Sequence, residues 1–137
     1  MHKNLSLVCL DVGEKRIGVA VSDGVVRIAV PLETIEVNGN EISAISQIIV
    51  SENAEVLVVG YPRNQSGEPT AQTEFVTDFV DKLKDVIDAK IVFQDESLTS
   101  VIAEQRLQSF KKPYSKADID AQAAAIILQD YIEANYA

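Results

Sequence analysis

The stretch VCLDVGEKRIGVAVSDG, residues 8–24, is apolar up to Val12 apart from one acid, Asp11, turns through Gly13-Glu14-Lys15-Arg16 and is apolar again from Ile17. Two partly β-branched runs, 5–12 and 17–21, joined by four residues predict an antiparallel hairpin. Asp11 is the anomaly. An unpaired carboxylate in a buried strand is costly, so this residue pairs, binds a cation or lies where the strand reaches solvent. Asp also ends strands simply as a turn former, and the rest of the chain has to decide between these readings.

Working outward, residues 25–37 contain a third strand, which Pro31 assigns to an edge or an irregularity. Ile42, Ile45, Ile48 and Ile49 recur at helical spacing within 40–53. AEVLVVGYP, 54–62, is a short continuous apolar run of the kind found in a parallel strand covered on both faces. A loop over 63–69 leads through Pro69-Thr70 into a helix marked by Phe75, Val76, Phe79, Val80 and Leu83. AKIVFQDE, 89–96, supplies a fifth strand, and helices follow over 98–110 and 115–137. Three strands in a meander and then alternating helices and strands describe one α/β domain over residues 1–137, a mixed sheet with helices on its faces. Periodicity alone leaves the strand order open.

Composition narrows the chemistry. With 137 residues, 47% hydrophobic and 24% charged, the chain has the makings of one folded core. The single cysteine, Cys9, lies inside an apolar run, which removes disulfides and cysteine metal clusters; the single histidine, His2, sits at the terminus, which removes Ser-His-Asp and Cys-His catalysis. No run is long enough for a membrane span, so a cytoplasmic location with no membrane partner is expected. The net charge of -9 works against long-range attraction to nucleic acid but permits a locally basic groove.

Acids stand at three element ends. Asp11 closes the first strand, Asp95 and Glu96 follow the fifth, and Asp120 lies in the first turn of the last helix. Asp120, Ala124, Ile127 and Tyr131 form one stripe suited to facing the sheet, whereas Asp118 shares a stripe with Gln122, Ala125 and Gln129 that reads as wetter. Convergent carboxylates without histidine or cysteine suit Mg²⁺ or Mn²⁺. Such carboxylates bridging two ions about 4 Å apart can activate a water against a phosphodiester. Lys15, Arg16, Arg63, Lys111, Lys112 and Lys116, six of the chain's 12 Lys and Arg, lie in segments flanking these acids. They are candidate phosphate contacts.

LDVGEKRIGVAVSD, VVGYPRNQSG, DESLTS and KADIDAQAAAIILQDYI resemble, in order and spacing, the motifs of the YqgF/RuvX family of Holliday-junction-resolvase-like proteins, over nearly the whole chain. The resemblance implies a ribonuclease H-like fold with a five-stranded mixed sheet and helices on both faces. It also implies a metal-dependent nuclease acting in 5′-end maturation of pre-16S rRNA. By similarity the catalytic and metal-holding acids are Asp11, Glu96 and Asp120; of the flanking basic residues, Lys15, Arg16, Arg63 and Lys116 are the ones expected to position substrate phosphate. The partners implied are structured RNA, as pre-16S rRNA or a pre-ribosomal particle, or branched DNA, for a monomer or homodimer. Two positions depart from the family's pattern: Ser97 stands where an arginine usually follows DE, and Tyr61 where GLP has its leucine. Related resolvases carry a fourth carboxylate near the last, a place open to Asp118 but disfavoured by its stripe. Three rival readings remain: a non-catalytic RNA-binding ribosome-assembly protein, a Holliday-junction-type DNA resolvase, and a phosphotransferase of the actin and sugar-kinase superfamily, whose first phosphate loop DVGEKRIGVAVSD also resembles.

Overall fold

A computed structural model describes residues 6–23, 25, 27–62, 66–96 and 99–136. The chain runs β1 (Leu7–Val12), β2 (Arg16–Ser22), β3 (Val30–Glu36), α1 (Glu41–Ser51), β4 (Val56–Pro62), α2 (Ala71–Leu83), β5 (Lys90–Glu96), α3 (Thr99–Ser109) and α4 (Lys116–Tyr136). The five strands form one sheet in the order β3-β2-β1-β4-β5. β1, β2 and β3 pair antiparallel, and β1-β4 and β4-β5 pair parallel. This is the expected mixed sheet of the ribonuclease H-like fold, with β1 near its centre. β3 is an edge strand with a register shift opposite Val19 and Ala20, beside Pro31, as a residue without an N–H requires.

The hairpin is tighter than its sequence suggests. Arg16 belongs to β2 and not to the turn, which closes when Gly13 N–H donates to the Arg16 carbonyl at 3.0 Å. That one-residue extension fixes the side of the sheet on which Arg16 projects, because strand side chains alternate.

Alternation divides the sheet into two unlike faces. Val8, Leu10, Val12, Ile17, Val19, Leu57 and Val59 point to one side, where they pack with Ile45 and Ile49 of α1 and Val76, Phe79, Val80 and Leu83 of α2. The intervening residues Leu7, Cys9, Ala20, Val56 and Val58 point to the other, against Ala124, Ala125, Ile127, Leu128 and Ile132 of α4. Every residue of α4 from Ala121 to Leu128 is buried, because α3 covers the side of α4 turned away from the sheet through Ala103, Ala123 and Ile126. The stripe led by Asp118 is therefore not wet beyond its first member: Gln122 and Ala125 are buried, and Gln129 accepts a hydrogen bond from Ala29 N–H at 2.9 Å. Sequence spacing assigned one inward stripe to α4, whereas a helix between a sheet and a second helix is covered on both sides.

Two glycines allow α4 to lie so close. A Cβ on Gly18 would fall 1.9 Å from the Asp120 carbonyl oxygen, so the first turn of α4 rests on the bare backbone of β2. A Cβ on Gly60 would fall 2.7 Å from Glu96 Oε2 and 2.9 Å from Ile127 Cδ1. Both glycines keep space for something that a side chain would displace.

Candidate active site

Asp11 continues the alternation of Leu7 and Cys9 and so faces α4. Its register partner on β2 is Gly18, the residue on which Asp120 rests. On the parallel side β1 and β4 are in register to Leu10 and Val59, so the next residues along are Asp11 and Gly60. Gly60 makes room for Glu96, the last residue of β5. The fold thus brings Asp11, Glu96 and the first turn of α4 together around two glycines. Asp95, one residue earlier, alternates to the opposite face.

The electrostatics follow from this crowding. Burial pushes Asp11 up to about 6, with the Asp120 charge adding to the rise and a hydrogen bond from Glu96 opposing it. Burial, the Asp11 charge and that same hydrogen bond push Glu96 up to about 8. Both shifts act in one direction, toward a pair that keeps a proton at higher pH than ordinary carboxylates do. Glu96 Oε2 is buried and has no hydrogen-bond partner. Cys9, on the same face, is also raised, by burial first and then by Asp11 and Glu96, so it contributes no thiolate. Lone pairs aimed into a crowded, negative space are what a cation compensates.

Asp120 is committed elsewhere. The Arg16 Nε–H donates to Asp120 Oδ2 at 2.6 Å, a charge-assisted bond between side chains 34% and 23% exposed. Among the described residues no three of His, Cys, Asp or Glu are gathered closely enough to hold a metal ion as they stand. The Asp11–Glu96 pair has the oxygen chemistry for a hard cation, and the third carboxylate is turned onto an arginine. Asp118 has a different occupation: its Oδ2 accepts from Ser115 N–H at 2.9 Å, while its own N–H donates to Ser115 Oγ at 3.3 Å. That reciprocal pair is a capping box that starts α4 and leaves Asp118 exposed.

Of the basic residues expected on phosphates, Lys15 is exposed and Arg16 half-buried. Together with Gly13, Glu14, Gln72 and Asp120 they line an open hollow of about 390 Å³. Lys116 is the exposed first residue of α4, four residues and one helical turn before Asp120. Arg63 and Ser97 lie outside the described residues. Sequence reasoning missed Gln72, whose Nε2 donates to the Val12 carbonyl at 3.2 Å, and Thr73, whose hydroxyl donates to the Pro62 carbonyl. These bonds tie the start of α2 to the ends of β1 and β4; the Thr70-x-x-Thr73 capping box was the available signal. Tyr61, at the position of the family's leucine, packs edge-on against Phe93 with ring centroids 5.2 Å apart.

Residues 5–134 match the family model described as RuvX, Holliday junction resolvase. A protein of Chloroflexus aurantiacus named "Putative pre-16S rRNA nuclease" is 44% identical over 132 residues, covering 93% of this chain and 86% of its own. One of the same name from Synechocystis sp. is 38% identical over 137 residues, covering 97% and 90%. Among solved structures, Thermus thermophilus RuvC in complex with a Holliday junction substrate superposes with a TM-score of 0.61 at 14% identity, covering 97% of this chain and 98% of that one. The Fowlpox virus resolvase, likewise with junction DNA, gives 0.59 at 10% identity, covering 97% and 100%. At those identities the two structures establish a common fold.

Proposed function

We propose, from the premise that this chain belongs to the YqgF/RuvX family, that it is a metal-dependent nuclease hydrolysing phosphodiester bonds in 5′-end maturation of pre-16S rRNA. The observation that carries the reading is the Asp11–Glu96 pair, two half-buried carboxyls set together on the α4 face with one oxygen, Glu96 Oε2, buried and left unpartnered. A structural role alone would place an apolar residue or a neutralising partner there. The relatives' name supplies the substrate class.

The donor set is all oxygen, which suits Mg²⁺ or Mn²⁺ over zinc or copper. Asp11 and Glu96, with Asp120 completing the set, would hold the cation. When bound, it supplies Lewis acidity at a phosphoryl oxygen and favours deprotonation of the attacking water. The chain's own contributions are more local. Glu96 would give up its proton to a bound cation, and β1 and β5, on either side of β4, hold the two carboxyls near their ends. Lys15, Arg16, Lys116 and Arg63 position the phosphate backbone without reading bases. With a net charge of -9 the protein has little non-specific hold on RNA, which favours a substrate presented by a pre-ribosomal particle in the cytoplasm.

The test is cleavage of pre-16S 5′ leader fragments and of four-way DNA junctions, with Mn²⁺ or EDTA, by the wild type, D11N, D118N and D120N. Expected is metal-dependent cleavage of the RNA, a loss of at least about a hundredfold in D11N and D120N, and near-wild-type rates in D118N. Cleavage of the junction alone would make the protein a DNA resolvase. RNA binding without cleavage, in the presence of metal and pre-ribosomal particles, would make it an assembly factor.

A further inference from the structure

The Arg16–Asp120 bond sets up a conflict. Asp120 is the acid that the metal site needs for its third ligand, and Arg16 is among the groups that the substrate phosphate needs. Both are consumed by each other at 2.6 Å. The contact is built in. Arg16 reaches Asp120 because it is the first residue of β2 and projects to the α4 side, and Asp120 is held over β2 by the bare backbone of Gly18. It is also accessible: both side chains remain part-exposed and both line the open hollow with Lys15 and Gln72, so the guanidinium has somewhere to turn. The hollow sets Lys15 and Arg16 against the acids Glu14 and Asp120, so a cation on Asp120 leaves two basic groups facing one acid, which suits a phosphate diester arriving from solvent.

We propose that Arg16 is an exchangeable counter-ion: it neutralises Asp120 until a divalent cation takes that carboxylate, and its released guanidinium then turns into the hollow to bind substrate phosphate. Arg16 is a positioning residue in the unloaded protein and a substrate contact in the loaded one. Because one event frees the group the other uses, metal and nucleic acid bind with positive coupling, and by linkage each raises the other's affinity equally. This inference rests on the metal-dependent reading above, but its consequences are visible in binding alone. A carboxylate whose partner is removed is a better metal ligand, so neutralising Arg16 strengthens metal binding while weakening RNA binding. A residue that merely orients Asp120 as a ligand does the opposite to the metal.

The experiment uses the full chain and Ca²⁺ as a probe, so that no cleavage is required. Calorimetric titration should show Arg16→Met binding Ca²⁺ about two- to fivefold more tightly than wild type, the upper range of a part-exposed ion pair. Arg16→Lys should fall between them, and the R16M gain should vanish in the D120N background. In the wild-type protein, the NMR signal of the Arg16 Nε–H should leave its hydrogen-bonded position as Ca²⁺ saturates, a readout independent of any variant's folding. RNA affinity of the wild type should rise with Ca²⁺ and that of R16M should not. Equal or weaker Ca²⁺ binding in R16M, or an Arg16 Nε–H signal unchanged at saturation, overturns the exchange while leaving the nuclease reading standing. Failure of every form to bind Ca²⁺ or Mn²⁺ overturns both.

Discussion

The two faces of the sheet are made by the same strands and are opposite in kind. Toward α1 and α2, β1, β2 and β4 present branched aliphatics that fill space. Toward α4 they present Leu7, Val56 and Val58 at one end but Cys9, Gly18, Ala20 and Gly60 farther along, with Asp11 near the end of β1 and Glu96 at the end of β5. The first face stabilises by burial, at about 25 cal/mol for each Å² of apolar surface removed from water. The second gives up part of that gain so that a helix backbone can touch a strand and the Asp11–Glu96 pair has room beneath it. Stability and chemistry are thus separated by the period of two along a strand and not by distance along the chain.

That separation can be broken most severely at Gly18. Gly18→Ala adds one methyl where only 1.9 Å is available to a carbonyl of α4, and the atoms it meets are all backbone. The expected cost is about 3 kcal/mol or more, at the upper end of over-packing, together with loss of metal binding as the first turn of α4 lifts. Leu57→Ala on the other face removes three carbons from a fully buried site and should cost a similar 2–5 kcal/mol, yet leave metal affinity unchanged. Urea denaturation and Mn²⁺ titration of the two variants check both halves. Equal damage to metal binding by both would mean that the faces are not independent.

The α4 face also differs from the other in its response to pH. Asp11 and Glu96 have folded values near 6 and 8, above ordinary carboxylates. At these two groups the folded state therefore binds more protons than the unfolded chain between about pH 4 and 8. A raised carboxyl contributes its stability below its unfolded value and loses it as pH rises through the folded value. In EDTA the wild-type melting temperature should fall across that window, and Glu96→Gln should flatten the fall and melt higher than wild type at pH 8. A variant as steep as wild type would show that the pair does not keep its proton.

Much of this arrangement was legible in the residues. Strict apolar runs gave the order of elements, Pro31 marked the edge strand, and the position of Asp120 on the Ala124–Ile127 stripe turned it toward the sheet. Other parts were not legible, for definite physical reasons. Strand order depends on which edges pair across long sequence separations, which local periodicity does not encode. Gly18 and Gly60 look like ordinary strand glycines until the helix above them is known. The burial of Gln122 needed α3, a second cover on α4 that no single-helix stripe anticipates. Assigning Arg16 to the turn hid its projection toward Asp120, since one residue of strand extension decides the face. Choosing Glu96 over Asp95 came from family resemblance; alternation along β5 places Glu96 on the α4 side.

If the proposed cation sits on Asp11 and Glu96, its binding displaces their proton, and the number released can be counted. Mn²⁺ titration at pH 7 in two buffers of different ionisation enthalpy measures how many are released on binding. Because the Asp11–Glu96 pair must surrender its proton to become a ligand set, about one proton should leave per wild-type protein, and none in Glu96→Gln. Tight binding with no proton released by the wild type, or the same release from Glu96→Gln, would place the metal elsewhere and contradict the account.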